Sequence, residues 1–208
     1  MMKRGLVAIS ILVALLAIGT QAWAIDYTFT TYNVGPTSGN FGTVSLTQQT
    51  GYVQFNVVAA SGVDIFHTLL GFNSTVAPSS LSNISFTAFA PASGFTPTPA
   101  SCAPGVMDGF GSFSYGICNG MSSDGPNGGV SALGFRANGL LLANIGTSFA
   151  AEAGVGCTVG GNGKVTCLPT GFIGTGTSVP EPASLLMLGA GLAGIGLWQW
   201  KRRKAGQA

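Results

Sequence analysis

Charge is what this sequence has least of: among 208 residues, Lys and Arg number 8 and Asp and Glu 6, together 7%. Soluble domains typically carry about 25%. Only one histidine and 4 cysteines are present, so the side chains that usually perform chemistry are scarce. The chain has no basic stripe, which excludes an electrostatic nucleic-acid binder. A hydrophobic fraction of 46% excludes the polar, highly charged type of disordered chain. The length fits one domain or two small ones.

The few charges are unevenly placed. Lys3 and Arg4 open the chain, and Lys201, Arg202, Arg203 and Lys204 close it, with Glu181 ahead of them. Between these ends, Asp26, Asp64, Asp108, Asp124 and Glu152 outnumber Arg136 and Lys164. The net charge of +2 is therefore a property of the two ends, and each end adjoins an apolar run.

The N-terminal run reads as a secretory signal. A basic start, an apolar stretch from Gly5 to Gly19 and the small-x-small site Ala22-Trp23-Ala24 predict a signal peptide over 1–24. Signal peptidase would cut between Ala24 and Ile25 after export by the Sec machinery. The C-terminal run, 183–200, is long enough as a helix to span about 27 Å, just sufficient for a bilayer core. Trp198 and Trp200 suit the interface, and Lys201, Arg202, Arg203 and Lys204 form a cytoplasmic stop. Both ends predict one topology, with the central segment on the periplasmic side of the inner membrane. GAGLAG at 189–194 matches a dinucleotide fingerprint formally. It lacks the following helix and acidic residue that such a site requires.

Just before this span stands Val179-Pro180-Glu181-Pro182-Ala183-Ser184. Two prolines around Glu181 disfavour helix and keep the segment extended, accessible to an enzyme at the membrane surface. VPEPAS, an apolar helix and a terminal basic cluster together resemble the PEP-CTERM sorting signal of Gram-negative bacteria, over 179–208. The resemblance implies recognition by exosortase, with cleavage near Val179, Pro180, Glu181 and Pro182. It further implies delivery to the cell surface or extracellular matrix, in a setting of exopolysaccharide and biofilm. Glu181 would be recognised as part of a substrate and would have no catalytic role. The stretch TVSLTQQTGYVQFNVVA, followed by FHTLLGFN, is similar to the exported part of PEP-CTERM proteins.

The exported segment contains most of the 33 glycines, a density that argues for turns and against long helices. Ile25, Tyr27 and Phe29 alternate with polar residues, as do Val44 with Leu46, and Val53 with Phe55 and Val57. Each run reads as a half-buried strand. Thr50-Gly51 and Ser61-Gly62 are turn signals, and Asn138-Gly139 predicts a hairpin between Leu133–Arg136 and Leu140–Ile145. Further strands are expected near 65–72 and 81–89, with surface loops at 91–104 and 120–129. The expected fold is an all-β, antiparallel sandwich of jelly-roll type over 25–167, with a flexible linker over 168–178.

Cys102, Cys118, Cys157 and Cys167 all lie in the exported segment. An even number in an oxidising compartment predicts two disulfides, with three connectivities open. Cys102–Cys118 and Cys157–Cys167 are favoured because they close short Gly-rich loops. No C-x-x-C pair exists and His67 stands alone, which argues against zinc. Asp124 and Asn127 lack the acidic density of an EF-hand loop. His67, three residues after Asp64, is expected inside a strand, and no Gly-x-Ser-x-Gly elbow accompanies it. The acidic residues are too scattered to nominate a glycosidase pair.

No catalytic residue, cofactor or metal is therefore expected, and the protein is read as a non-enzyme. Its expected role is structural or adhesive, at the cell surface or in a biofilm matrix. The alternative is a lectin-like carbohydrate-binding module with exopolysaccharide as a partner. Against that alternative, Trp23, Trp198 and Trp200 all lie in the removable segments, which leaves Tyr27, Tyr32, Tyr52 and Tyr115 as stacking candidates.

Overall fold

The computed structural model describes residues 23–34, 38–90, 97–120, 129–167 and 169–175. Most of the predicted signal peptide (1–22) and all of 179–208, with the sorting motif, the predicted membrane span and the basic tail, lie outside the described residues. Among those described, no helix is long and apolar enough to cross a membrane.

The alternating runs of the sequence form an antiparallel meander of β1 (Ala24–Tyr32), β2 (Ser38–Gln49) and β3 (Tyr52–Ala59). Gly51 makes the turn from β2 to β3 at φ +85°, a conformation that favours glycine. Next come β4 (Val63–Ile65), β5 (Thr68–Ser74), β6 (Ser80–Ala88), β7 (Pro99–Cys102), β8 (Gly105–Met107), β9 (Gly111–Phe113) and β10 (Tyr115–Asn119). The chain ends with β11 (Val130–Asn138), β12 (Ile145–Val155), β13 (Thr158–Val159), β14 (Val165–Thr166) and β15 (Thr170–Thr175).

Pairing runs from β15 through β1, β2, β3, β11 and β4 to β12, and β12 pairs back onto β15. These strands therefore close into an antiparallel ring, which removes the edges that an open sheet exposes. Beyond the ring, β6 continues outward from β11, while β5, β10 and β7 continue from β12. The expected all-β antiparallel sandwich is present, with closure through β15 as its organising feature.

The inward positions carry the core. Phe55 stacks on Phe135 at 4.5 Å between ring centroids and meets Phe72 at 4.8 Å; Tyr27 meets Phe149 at 4.8 Å. All but Tyr27 are essentially inaccessible to solvent. Burying one such side chain stabilises the fold by roughly 1.5–3 kcal/mol.

Four sequence expectations differ from the structure. Residues 170–175, assigned to the linker, form β15 with Ile173 fully buried, so the domain extends to Thr175. The glycines that suggested a tether serve close packing: a side chain at Gly174 would overlap the Phe110 ring, and one at Gly171 would meet Asn33. Asn138-Gly139 does not close a hairpin. Gly139 N–H donates to the Gly51 carbonyl, and the chain passes through a 3-10 turn at Leu142–Asn144 into β12, which pairs with other strands. The single strand expected at 65–72 is broken into β4 and β5 at Phe66-His67, where His67 adopts φ +53°. Within the loop expected at 91–104, Pro99–Cys102 is a strand, held by pairing to β10.

Candidate functional site

The predicted cleavage residues lie where the fold begins. Ala24 and Ile25 open β1, opposite Thr47 and Leu46, and the Gln48 N–H donates to the Trp23 carbonyl. Once this ladder has formed, the Ala24–Ile25 bond is part of a paired strand. A peptidase that needs this bond unpaired would therefore have to act before the strand pairs. At the other end, Thr175 pairs with Phe29, and its Oγ1 accepts a hydrogen bond from the Phe149 N–H. The ring is thus tied shut just before the sorting motif begins.

Cys102 is bonded to Cys118 and Cys157 to Cys167, with no free cysteine. The first joins β7 to its partner β10, and the second closes the small hairpin of β13 and β14. Gly154 on β12 makes room for the second bond, since a side chain there would collide with Cys167.

His67 and Asp64, neighbours in sequence, are separated by the fold. The His67 ring Nδ1 lies 2.9 Å from Glu152 Oε2 on β12, at a half-exposed surface position. Glu152 was not expected as its partner. Only the β4 break, invisible in the local pattern, brings the two together. Asp64 is fully buried and neither carboxyl oxygen has a hydrogen-bond partner. Burial pushes its pKa up to about 8, so it holds its proton at neutral pH. Among the described residues, no group of three metal-ligating side chains is assembled.

The outward face of the meander carries polar side chains in cross-strand rows. In one cross-strand row, Thr47, Gln54, Arg136 and Ser82 stand side by side on β2, β3, β11 and β6. In the next, Asp26, Ser45, Asn56, Gly134 and Ser85 follow from β1 to β6. A third row ends Val58, Ala132, Thr87. On the other side of Arg136, Tyr52 and Asn138 face Ser80. The Arg136 guanidinium lies 4.6 Å from the centroid of the Tyr52 ring, a cation–π arrangement. Its Nε is buried without a partner, and the ion pair described in the domain, His67 with Glu152, does not involve it. Asn138 Nδ2 donates to Ser80 and Ser82, and Gln54 Nε2 donates to the carbonyls of Phe55 and Phe135. The amides are thereby fixed in place. Ser85 and Asn56 close in over Gly134: a side-chain carbon there would lie 2.8 Å from Ser85 Oγ and 3.4 Å from Asn56 Oδ1. A groove here, about 370 Å³, is lined by Asn56, Val58, Ser85, Thr87 and Gly134, among others. Its residues were legible one by one as polar strand positions. Their register across β3, β11 and β6 was not.

The tail decides the identity. Residues 178–204 match the family model of the PEP-CTERM protein-sorting motif. The chain carries a PEP-CTERM sorting signal. It is accordingly an exported protein, anchored in the membrane before processing and handled by exosortase. The PEP-CTERM match spans Val179, Pro180, Glu181 and Pro182 and ends at Lys204. Comparison with curated proteins and with solved structures returns no match.

Proposed function

We propose that the β-domain is a structural or adhesive component of the cell surface or extracellular matrix, in the setting of a biofilm. It is released there once its tail is removed, and its role is non-enzymatic. The observation that carries this reading is the PEP-CTERM match at 178–204. Two disulfides support it, because such bonds persist in an oxidising compartment. A closed ring of strands with few charges supports it further, since the strands within the ring present no open edge to aggregate in a crowded matrix. On this reading, Sec exports the chain with the domain on the periplasmic side. Signal peptidase cuts at Ala24–Ile25, and exosortase cuts near Pro180-Glu181-Pro182.

The test is to follow an epitope-tagged chain in its host by cell fractionation and intact mass. Wild type is expected in the matrix fraction without its tail, and Glu181→Ala, or loss of exosortase, is expected to hold the full tail in the membrane. Wild type found only in membranes with its tail intact would overturn the proposal. A deletion strain is expected to form weaker biofilms or flocs.

A further inference from the structure

We propose that the outward face of β3, β11 and β6 binds a carboxylate-bearing polysaccharide, with an acid group of the chain seated on the Arg136 guanidinium. This deepens the matrix reading by naming a ligand class, and it rests on that reading only for where the two meet.

The argument starts from Arg136. A surface arginine ordinarily finds a carboxylate or remains mobile in solvent. Arg136 does neither: it lies over the Tyr52 ring, its Nε is buried without a partner, and among the described residues no ion pair neutralises it. Around it the cross-strand neighbours are Gln54 and Ser82, with Tyr52, Asn138 and Ser80 in the row beyond. All are neutral. The acid of this face, Asp26, is on β1, with β2 and β3 between it and β11. At about 4.8 Å per strand that is roughly 14 Å away, beyond a Debye length at physiological salt. The guanidinium is therefore an unneutralised, pre-oriented cation whose planar donors match a carboxylate.

The rest of the face selects the kind of molecule that brings the carboxylate. A protein partner would want an exposed aromatic or aliphatic anchor at the centre. Next to Arg136 the aromatic, Tyr52, lies against the guanidinium, and the exposed apolar side chains, Val58 and Phe86, line the groove beyond it. What remains is amide and hydroxyl groups in register, which hydrogen-bond to a hydroxyl-rich chain. Beside Arg136, the groove over Gly134 has Asn56 and Ser85 on its polar sides and exposed Val58 at its end. A sugar ring presents hydroxyl edges and an apolar C–H face, and the groove offers a partner for each. From β2 through β3 to β11 the strands pair in continuous register, and β6 joins them through a shift between its Ser85 and Ser82, so polar groups recur from strand to strand along an extended chain's path.

The test uses the full chain purified in detergent under oxidising conditions, with polygalacturonate, its methyl-esterified form and dextran as probes in affinity electrophoresis. Retardation by polygalacturonate is expected, weakened by salt, with at least about fivefold weaker retardation by the esterified polymer and none by dextran. Arg136→Gln is expected to weaken polygalacturonate binding by about fivefold, the upper end for one exposed ion pair. Asn56→Asp supplies a second variant at an exposed position. It places a competing carboxylate diagonal to Arg136 and is expected to weaken binding with the thermal melt unchanged. Equal binding of esterified and free polymer, or full binding by either variant, would overturn the proposal. Absence of polygalacturonate binding would also overturn it, and would leave matrix localisation, measured by fractionation, standing on its own.

Discussion

The carboxyl of Asp64 occupies the space that a side chain at Gly129 would need. The acid is fully buried, unbonded and pushed up to about pKa 8 by desolvation. An unfolded aspartate titrates near about 3.9. Between about pH 4 and about pH 8 the unfolded chain has thus lost a proton that the native state keeps. Stability must fall as pH rises through that window and level off above it. Asp64→Asn keeps the shape and removes the titration. It is expected to match wild type near pH 4 and to exceed it at pH 8 by at least about 3 °C in Tm, the shift that about 1 kcal/mol gives in a domain of this size. Thermal melts at the two pH values check this, and a wild-type Tm that does not drop across the window would contradict it.

Gly129→Ala introduces one methyl group into the same space. Overpacking of this kind costs about 1–3 kcal/mol. The loss should be largely recovered in Gly129→Ala combined with Asp64→Ala, because the second change vacates the volume the first one fills. Urea titrations of the single and double variants measure the coupling.

The two disulfides close short loops, and the chain-entropy account gives each about 3 kcal/mol. Reduction should lower the urea midpoint clearly. Gly154→Ala should act on Cys157–Cys167 alone, since its methyl group meets Cys167. The readout is free-thiol content by mass spectrometry after oxidative refolding. Wild type should show none, and the variant a measurable thiol fraction.

All three tryptophans, Trp23, Trp198 and Trp200, fall outside 25–178. A product cut at Ala24–Ile25 and near Glu181 should show tyrosine emission only. Tryptophan emission from the purified released protein would mean that one of the two segments is retained.

Much of the fold was legible because burial on one face of a strand imposes a period of two. β1, β2 and β3 were found this way, with Tyr27, Val44, Leu46, Val53, Phe55 and Val57 buried. The near-neighbour disulfides followed from loop length. What escaped was set by partners far along the chain. β15 is Gly-rich and short, and reads as a tether; it is a strand because β1 and β12 flank it and because Phe110 and Asn33 press against its glycines. His67 meets Glu152 only because β4 and β5 part company at that point. The outward polar face has the same origin. Gln54, Arg136 and Ser82 are each ordinary in sequence and become one row through register alone. The sorting motif was the most readable feature, since a short linear signal needs no fold to be recognised.

The closure of the ring at Thr175 sets a leash. Five residues lie between Thr175 and Glu181, and the six steps from one to the other span at most about 21 Å of fully extended chain. A cut near Glu181 would therefore fall within that distance of the end of β15, where Thr175 meets Phe29 and Phe149. If exosortase cuts there, the folded domain would limit the directions from which the enzyme approaches its substrate. Lengthening the leash by a few residues should change the rate of release without touching the motif.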